Sequence, residues 1–290
     1  MREIGGFEDT MDYKLIAFDL DGTLLDEEKH VPEENNLALR EAAERGVLLV
    51  PATGRILRGI PEEVLRLPSL RYFILSNGAA VYDAQERRTV ARGDIPLDLT
   101  LRIMEFLDTQ PVLYDCYQND MGYMSRDMFE RMEPYFVNEP QFLKLMHVLR
   151  VPVPDLKQTL RERGEPVQKI QFFYRPEDSE RRLEMLRDFS AYFPEICATA
   201  SVSNNVELNS VHAGKGNALR ALCAALGIDT AQTLAFGDGI NDISLLQSAG
   251  RGVAMANAQE AVKAAADAVC ESNEAAGVGK EVRRAMEGLV

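Results

Sequence analysis

One stretch constrains the fold of this chain most: residues 14–26, with the sequence KLIAFDLDGTLLD. Its apolar run at residues 15–18 has the character of a strand buried on both faces, as in the parallel sheets of α/β proteins. The run leads to Asp19 and Asp21, two carboxylates that face the same way and repel unless a cation or a shared proton compensates. The stretch therefore predicts a metal site that contains a nucleophile or, as the alternative, two solvated turn aspartates followed by Gly22.

Strand and helix patterns alternate at both ends of the chain. Apolar runs at residues 47–50, 72–75 and 233–236 are separated by segments with helical periodicity, such as residues 32–45 and 215–226. Such alternation predicts a doubly wound parallel sheet that is joined by right-handed crossovers.

The middle of the chain has a different pattern. Between residues 85 and 204, strands and most of the aromatic residues cluster without regular helical crossovers, which is typical of an α+β segment with an antiparallel sheet. The strand–helix rhythm returns at Val206. We therefore predict two domains, a discontinuous core of residues 1–84 and 205–290 and an inserted domain of residues 85–204.

Three local predictions concern shorter segments. Helical periodicity predicts single helices at residues 56–67 and 127–136. The strand at residues 72–75 is expected to form a hairpin with residues 80–82, after the turn sequence Ser-Asn-Gly.

The charge of the chain excludes several kinds of partner. With 32 basic and 46 acidic residues the net charge is −14, so neither nucleic acids nor anionic membranes are attracted. A small anionic substrate stays compatible, since a bound metal ion can invert the local sign. No apolar run is long enough for a transmembrane helix, and residues 1–12 lack the apolar core of a secretory signal. A cytoplasmic protein is therefore expected.

The cysteines and histidines show no spacing of a zinc site. The four cysteines lie far apart in apolar surroundings without a CxxC pair, so we expect buried free thiols. The three histidines, His30, His147 and His212, also lie apart, and we assign them no role.

Polar residues stand at four strand ends or helix starts of the predicted core. They are Asp19 with Asp21, Thr53 with Gly54, Lys215, and Asp238 with Asn241 and Asp242. In a doubly wound sheet these positions converge on one crevice. Carboxylates can hold Mg²⁺, form an aspartyl-phosphate and move protons, while a lysine and a hydroxyl can bind phosphoryl oxygens. The set therefore favours metal-assisted phosphoryl transfer.

Other interpretations of these residues stay open at this point. Thr53 fits the N-cap of a helix, Lys215 an exposed lysine in a first helical turn, and Asp238 a turn residue between two glycines. The chain has no Walker A sequence and no GxSxG nucleophile elbow, and no GxGxxG follows a strand.

The motifs of the two end segments resemble those of a known family. In order along the chain they are DLDGTLLD, ATGR, SNGA, GKGNAL, GDGIND and GVAMANA. This series is similar to that of the haloacid dehalogenase-like hydrolases, and more narrowly to the Cof-type sugar-phosphatase branch with its large α/β cap. The resemblance implies an α/β fold, with a Rossmann-like doubly wound parallel sheet as the core and an inserted, mobile α+β cap domain.

The resemblance also implies a role for each motif residue. Asp19 would be the nucleophile, and Asp21 would be the general acid and base. The phosphoryl group would be bound by Thr53, Gly54, Lys215 and Asn241. Mg²⁺ would be held by Asp19, the main-chain carbonyl of Asp21, and Asp238, with Asp242 as a support of the metal shell.

Three positions depart from the family pattern. His212 stands where glycine is often found, Ser244 where proline is usual, and Ala256 where glycine is usual. None of these departures removes a catalytic group.

By this resemblance the chain is expected to be a Mg²⁺-dependent phosphatase of small phosphorylated metabolites, with sugar phosphates as the expected class. Nucleotides and pyridoxal phosphate stay open as substrates. The alternatives are a phosphomutase or phosphotransferase of the same superfamily and a protein that binds a phosphorylated ligand without turnover. The inserted domain should select the substrate, with Tyr114, Tyr117, Tyr123 and Arg126 as candidate contacts. We expect a monomer or a weak homo-oligomer.

Overall fold

The computed structural model describes residues 13–289, which form two compact units. Unit 1 comprises the described residues up to Pro51, Pro61–Tyr72 and the residues from Cys223 onward, and unit 2 comprises Ala52–Ile60 and Phe73–Leu222. The bounds of these units differ from the predicted domain bounds at residues 85 and 205. The predicted division into a core and an inserted domain stays a prediction. The N-terminal segment, for which no secretory signal is expected, lies outside the described residues.

The described part of the chain contains fourteen strands and eleven α-helices. The strands are β1 (Leu15–Phe18), β2 (Leu48–Pro51), β3 (Tyr72–Leu75), β4 (Ala80–Asp83), β5 (Arg88–Arg92), β6 (Leu113–Gln118), β7 (Met121–Ser125), β8 (Arg150–Val153), β9 (Lys169–Phe173), β10 (Ile196–Thr199), β11 (Asn205–Ser210), β12 (Thr233–Gly237), β13 (Arg251–Ala254) and β14 (Ala268–Val269). The helices are α1 (Glu33–Glu44), α2 (Glu62–Leu65), α3 (Leu97–Leu107), α4 (Arg126–Phe129), α5 (Pro140–Leu149), α6 (Leu156–Arg163), α7 (Ser179–Tyr192), α8 (Lys215–Leu226), α9 (Ile243–Ser248), α10 (Glu260–Lys263) and α11 (Gly277–Met286).

A five-stranded sheet forms the centre of unit 1, in the order β14-β13-β12-β1-β2. All of its strand pairs are parallel, as predicted. The chain passes from β1 to β2 on one side and later returns to β12 on the other side, so the strand order reverses between β1 and β12. The carboxyl ends of these two strands therefore meet at a topological switch point, which is where α/β sheets bind ligands.

Close packing of α1 against α11 supports the segment that follows β1. Asn35 of α1 is buried, donates to the Leu24 carbonyl at 3.1 Å and accepts from the N–H of Gly279 in α11 at 2.7 Å. A Cβ at position 279 would lie 2.6 Å from the Glu34 carbonyl oxygen, so only glycine permits this approach. The C-terminal helix thus helps to position the loop between β1 and α1.

Unit 2 contains a six-stranded sheet in the order β10-β11-β9-β6-β7-β8. Its pairs are antiparallel except for β7 with β8. One face of the sheet packs against α3, α6 and α7 in an apolar core. A second sheet has the order β3-β4-β5, in which β3 neighbours β4 as predicted and β5, which was not predicted, pairs antiparallel with β4. The predicted α/β class, with a parallel sheet and additional antiparallel strands, is confirmed.

The prediction of one helix at residues 56–67 is wrong. The chain forms a 3-10 turn at Leu57–Gly59 and then the short helix α2. Ile60 between them is extended, with φ −78° and ψ 130°. The physical reason is Pro61, because a proline disfavours helical backbone at the residue before it.

The prediction of one helix at residues 127–136 is also wrong. Helix α4 ends at Phe129, and a separate 3-10 turn follows at Glu133–Tyr135. Pro134 lies in this turn and lacks the N–H that a continuing helix would need. The elements α5, β8 and α6, which come next in the chain, were not predicted.

Strand β11 corrects the interpretation that strand–helix alternation returns at Val206. It pairs antiparallel with β9 and β10, and it is therefore part of the six-stranded sheet. Its sequence NVELNS alternates polar and apolar residues, the period of a strand in an antiparallel sheet. This alternation in the sequence could have indicated that the segment belongs to an antiparallel sheet.

The cysteines of the described residues are free, as expected. Cys116, Cys223 and Cys270 are buried, whereas Cys197 is exposed. None of the helices within residues 13–289 combines the length and the apolar character needed to span a bilayer.

Candidate active site

Two acidic residues follow the strands at the switch point of unit 1. Asp19 comes directly after β1 and Asp238 directly after β12, and these strands pair in parallel with Phe18 opposite Phe236. The Asp19 N–H donates to the Phe236 carbonyl at 3.1 Å, which extends the pairing by one residue. The buried apolar run of β1 thus carries Asp19 to the edge of the sheet where ligands bind.

Three carboxylates form a cluster at this edge. One oxygen each of Asp19, Asp238 and Asp242 lies within 4.8 Å of the other two. Asp19 and Asp242 are buried and Asp238 is half-buried, so water screens their repulsion poorly. Such a group needs a cation or shared protons, and carboxylate oxygens are the ligands that Mg²⁺ prefers. The donor set fits Mg²⁺.

Hydrogen bonds hold the carboxylates of this cluster in place. The Thr23 hydroxyl donates to Asp238 Oδ1 at 2.8 Å. Asp242 Oδ2 accepts the main-chain N–H groups of Asp238 and Gly239 at 3.1 and 2.9 Å. These bonds orient the loop after β12, and the half-buried Asp238 is not fully solvated.

Gly22 gives the cluster the room that it needs. Its φ is +80°, and a Cβ at this position would lie 2.4 Å from Asp238 Oδ2. Its carbonyl accepts the side-chain amide of Asn257 at 2.8 Å, and Asn257 Oδ1 in turn accepts the N–H of Asn273 at 3.1 Å. Sequence reasoning assigned no role to Thr23 or Asn257, although both stand in quoted motifs.

Replacing Gly22 by alanine is expected to lower the free energy of unfolding more than the same change at Gly46. Both glycines have positive φ, but a Cβ at Gly46 meets nothing within 4 Å. Gly46→Ala should therefore cost only the left-handed backbone, about 1 kcal/mol, and Gly22→Ala about 1–3 kcal/mol beyond that. Urea unfolding measures both variants. Equal losses would contradict the close approach of Gly22 to Asp238.

Asp21 is separate from the three clustered carboxylates. Its side chain pairs with Lys29 Nζ at 3.0 Å, and the two side chains are 40% and 53% exposed. The role of Asp21 as general acid and base stays a prediction, as does its main-chain contact to the metal.

Asn241 lies in the 3-10 turn Ile240–Asp242, which follows the carboxylate-bearing loop of β12. It is half-buried. A Cβ at Gly239 would lie 2.5 Å from Asn241 Oδ1, so the glycine lets the amide fold back over the loop. The predicted contact of Asn241 with a phosphoryl group stays a prediction.

Thr53 and Gly54 belong to unit 2 and form a tight loop there. Thr53 is buried, and its N–H donates to the Ile74 carbonyl at 2.8 Å. Its hydroxyl accepts the N–H of Arg55 at 3.2 Å, and no α-helix begins at Arg55, so the alternative of a helix N-cap does not hold. A Cβ at Gly54 would lie 2.7 Å from Asn77 Oδ1.

Lys215 begins α8, and its side chain is fully buried. The alternative of an exposed lysine in a first helical turn is therefore wrong. Gly78, with φ +90°, makes the close backbone approach possible, since its Cβ would lie 2.3 Å from the Gly214 carbonyl oxygen. Burying an ammonium at the positive end of a helix is unfavourable by itself, which indicates a functional reason.

A buried cluster of charged and polar side chains lies against the loop of Gly54 within unit 2. Lys169 Nζ donates to the Gly54 carbonyl at 2.9 Å and to Glu207 Oε1 at 3.1 Å. Asn77 donates to Glu207 Oε2 at 2.8 Å and to Asn209 Oδ1 at 3.1 Å. Burial by itself would raise the pKa of Glu207, but Lys169 and hydrogen bonds from Ser201 and Asn77 hold it below its ordinary value. Sequence reasoning missed this group.

The predicted site residues thus divide between the two units. The structure brings three carboxylates together in unit 1 and forms the Thr53–Gly54 loop and the buried Lys215 in unit 2. Among the candidate contacts of the inserted domain, Tyr114 and Tyr123 lie in the apolar core of unit 2, and Arg126 begins α4. Tyr117 lies on the other face of the sheet.

Comparisons with known proteins support the family resemblance that the motifs indicate. A family profile described as haloacid dehalogenase-like hydrolase matches residues 16–282. The chain is 30% identical over 277 residues to 5-amino-6-(5-phospho-D-ribitylamino)uracil phosphatase YcsE of Bacillus subtilis, with 94% of this chain and 96% of that protein covered. It is 27% identical over 263 residues to pyridoxal phosphate phosphatase YbhA of Escherichia coli, with 91% and 95% covered.

The fold is likewise similar to solved structures. One is a haloacid dehalogenase-like hydrolase from B. subtilis, with a TM-score of 0.76 and 30% sequence identity. That match covers 93% of this chain and 99% of the other. The similarity extends over nearly the whole length of both chains.

Proposed function

This chain belongs to the haloacid dehalogenase-like hydrolase family, and from that premise we propose that it is a Mg²⁺-dependent phosphatase of small phosphorylated metabolites with an aspartyl-phosphate on Asp19. One observation carries the proposal. The carboxylate oxygens of Asp19, Asp238 and Asp242 lie within 4.8 Å of one another. Asp19 and Asp238 directly follow two adjacent parallel strands, and Asp242 lies in the 3-10 turn after the second, at the edge where α/β sheets bind ligands.

The family and the enzyme class predicted from the sequence, a phosphatase among the hydrolases, are confirmed by the family match and by the relatives. The substrates that appear in the names of the relatives are the substrates of those proteins. For this chain we propose a sugar phosphate as substrate, a cytoplasmic location, and a monomer or weak homo-oligomer. We also retain residues 85–204 as the cap that selects the substrate.

The first chemical step forms the phosphoenzyme. A carboxylate oxygen of Asp19 attacks phosphorus, and the bond from phosphorus to the leaving oxygen breaks. Asp21 donates its proton to that oxygen, so the product leaves as an alcohol. Mg²⁺, held by Asp19, the Asp21 carbonyl and Asp238 with Asp242 in support, would offset the negative charge of the carboxylate and the phosphoryl group.

The second step returns the enzyme to its starting state. Asp21, now ionised, takes a proton from water as the water oxygen attacks phosphorus. The bond between phosphorus and Asp19 breaks, which releases inorganic phosphate and the free carboxylate. The proton balance closes because Asp21 ends each cycle protonated.

The phosphoryl oxygens would be bound by Thr53, Gly54, Lys215 and Asn241. The burial of the Lys215 ammonium supports this assignment, because a desolvated cation attracts an anion more strongly than a solvated one. The N–H groups of Thr53 and Arg55 already donate to the Ile74 carbonyl and the Thr53 hydroxyl, so the Gly54 N–H is the main-chain donor that this loop would offer to an anion.

The proposal is tested with purified full-length protein and a panel of sugar phosphates, nucleotides and pyridoxal phosphate. We expect inorganic phosphate to be released, and EDTA to lower the rate at least about tenfold until excess Mg²⁺ restores it. Equal rates with and without EDTA would contradict the metal requirement. Transfer to a sugar hydroxyl that outcompetes phosphate release would identify a phosphotransferase instead.

A further inference from the structure

A small cavity within unit 2 is lined by none of the predicted site residues. Its volume is about 140 Å³. The helix α7 begins at its wall, and we therefore call it the α7 cavity. The polar residues of its lining that matter here are Glu139, Arg175, Ser179, Arg182, Ser203 and Asn204.

The α7 cavity is separate from the loop that is proposed to bind the phosphoryl group. Lys169, the first residue of β9, donates to the Gly54 carbonyl of that loop at 2.9 Å. Tyr174, which directly follows β9, lines the cavity. Five residues of strand separate Tyr174 from Lys169 by about 17 Å, so a ligand in the cavity does not contact the Gly54 loop.

Asn204 offers an unsatisfied acceptor to the cavity. Its side chain is 6% exposed, and its Nδ2 donates to the Tyr135 carbonyl at 2.5 Å, which fixes the orientation of the amide. Its Oδ1 is buried and accepts no hydrogen bond from residues 13–289. Asp115 Oδ1 is likewise buried without a partner, but Asp115 does not line the cavity. A buried oxygen without a donor is costly, and at Asn204 the cavity has room for the missing donor.

Arg182 offers an unsatisfied donor to the same cavity. Its Nη1 donates to the Asn205 carbonyl at 3.2 Å, whereas its Nε is buried and has no acceptor within the described part of the chain. No described carboxylate forms an ion pair with Arg182. Asp178 makes no side-chain bond that would cap α7, so the positive end of this helix adds to the attraction for an anionic oxygen.

Glu139 contributes a negative charge to the lining. Its Oε1 accepts the N–H and the hydroxyl of Ser203 at 3.3 and 2.6 Å. Among the residues that the structure describes, no cation forms an ion pair with Glu139. Arg175, the second cation of the lining, is compensated by Glu177 at 3.8 Å. The α7 cavity therefore has one unpaired cation and one unpaired anion.

Unpaired groups of both signs favour a ligand that carries both charges. A phosphate or a carboxylate alone would be attracted by Arg182 and repelled by Glu139, and an amine alone would meet the reverse. The zwitterion of an amino acid has a carboxylate that can accept from Arg182 Nε. Its ammonium has three N–H donors, enough for Asn204 Oδ1 and for Glu139.

The volume of the cavity limits the size of this ligand. An engineered apolar cavity of about 150 Å³ holds benzene, which has six heavy atoms. The α7 cavity, with about 140 Å³, is of similar size. Glycine, alanine and serine have five to seven heavy atoms and match it.

We propose that the α7 cavity binds a small free amino acid as a zwitterion. Arg182 holds its carboxylate, and Asn204 and Glu139 hold its ammonium. The inference goes beyond the proposed phosphatase function and does not depend on it, because no motif residue takes part. The three residues stand far apart in the sequence and in none of its motifs, so sequence reasoning did not find them.

Thermal unfolding of the full-length protein tests the ligand class. Glycine, L-alanine and L-serine are each added at about 10 mM, and we expect at least one of them to raise Tm by at least about 2 °C. Each is compared with the analogues that lack one charge: acetate and methylamine for glycine, propionate and ethylamine for alanine, 3-hydroxypropionate and ethanolamine for serine. These should raise Tm less than half as much. No rise with any of the three amino acids, or an equal rise with a matched analogue, would overturn the inference.

The variant Glu139→Gln tests the contact to the ammonium. The amide oxygen can still accept from Ser203, while the negative charge is lost. Calorimetric titration should show a Kd for the amino acid that is about tenfold to a hundredfold higher, and binding of the analogue that lacks the amino group should become tighter. The control Glu105→Gln removes an exposed carboxylate of the same unit, paired with Arg161 at 3.8 Å, and should change neither value.

A second variant and a competition experiment complete the test. Arg182→Gln should also raise the Kd for the amino acid about tenfold to a hundredfold. Inorganic phosphate in the presence of Mg²⁺ should leave that Kd unchanged, because the cavity is separate from the proposed phosphoryl site. An unchanged Kd in either variant, or competition by phosphate, would overturn the inference. If neither variant folds, the matched analogues decide with the wild-type protein.

The proposed phosphatase function is measured separately, as phosphate release from p-nitrophenyl phosphate. A protein that binds the amino acid but releases no phosphate would keep this inference and contradict the proposed function. A protein that releases phosphate but binds none of the three amino acids would do the reverse.

Discussion

Asp19→Asn is expected to lower kcat for p-nitrophenyl phosphate at least about a thousandfold, because an amide is a poor nucleophile and the phosphoenzyme no longer forms. The same change removes one of the three carboxylates that lie within 4.8 Å of one another. Since those charges repel, the variant without Mg²⁺ should be at least as stable as the wild type. Loss of activity would then reflect chemistry and not unfolding.

Two measurements check the Asp19 prediction. Steady-state kinetics gives kcat, and thermal unfolding with and without Mg²⁺ gives the rise of Tm that metal binding causes. This rise should be smaller in Asp19→Asn than in the wild type. The control is Asp229→Asn in the same unit, which removes an exposed carboxylate that accepts the N–H of Ala231 at 3.0 Å. A variant at position 19 that kept wild-type kcat would refute the aspartyl-phosphate mechanism.

Asp21→Asn is expected to slow esters with poor leaving groups far more than esters with good ones. An alkoxide needs a proton as it leaves, whereas p-nitrophenolate does not. We expect kcat/KM for hexyl phosphate to fall about a hundredfold to ten-thousandfold and that for p-nitrophenyl phosphate to fall less than about tenfold. The ratio kcat/KM is the suitable readout, because it reports only steps up to phosphoenzyme formation.

The control for Asp21 is a carboxylate in the same loop. Asp26 accepts the N–H of His30 at 2.8 Å, so Asp26→Asn tests whether any lost charge in this segment slows the reaction. It should leave both substrates unaffected. Similar losses for Asp21→Asn on both esters would remove Asp21 from the role of general acid.

Sequence reasoning succeeded where a feature depends on neighbouring residues. The buried strand before Asp19 was predicted from four consecutive apolar residues. The loop after β12 was predicted from an apolar run followed by two glycines around Asp238. In both cases the strand pattern and the turn residues act within a few positions, so the local sequence carries the signal.

The same reasoning failed where prolines interrupt a helical pattern and where distant strands meet. The segment at residues 56–67 has helical periodicity, yet Pro61 divides it. Arg150 begins a strand directly after a helix, and its partner Asp115 lies 35 positions away in the chain. Lys169 and Gly54 are 115 positions apart. A contact of such separation leaves no local pattern, because sheet pairing alone brings its members together.

Local patterns and motif order were thus sufficient to predict the family, the α/β class and the positions of the carboxylates that follow β1 and β12. Only tertiary structure decided that Lys215 and Asp115 are fully buried, that Asp21 lies apart from the clustered acids, and that Asp115 keeps an unpaired oxygen. The physical reason is that burial and unpaired atoms are properties of the packed chain. They depend on which distant residues exclude water from a group, and no short stretch of sequence contains that information.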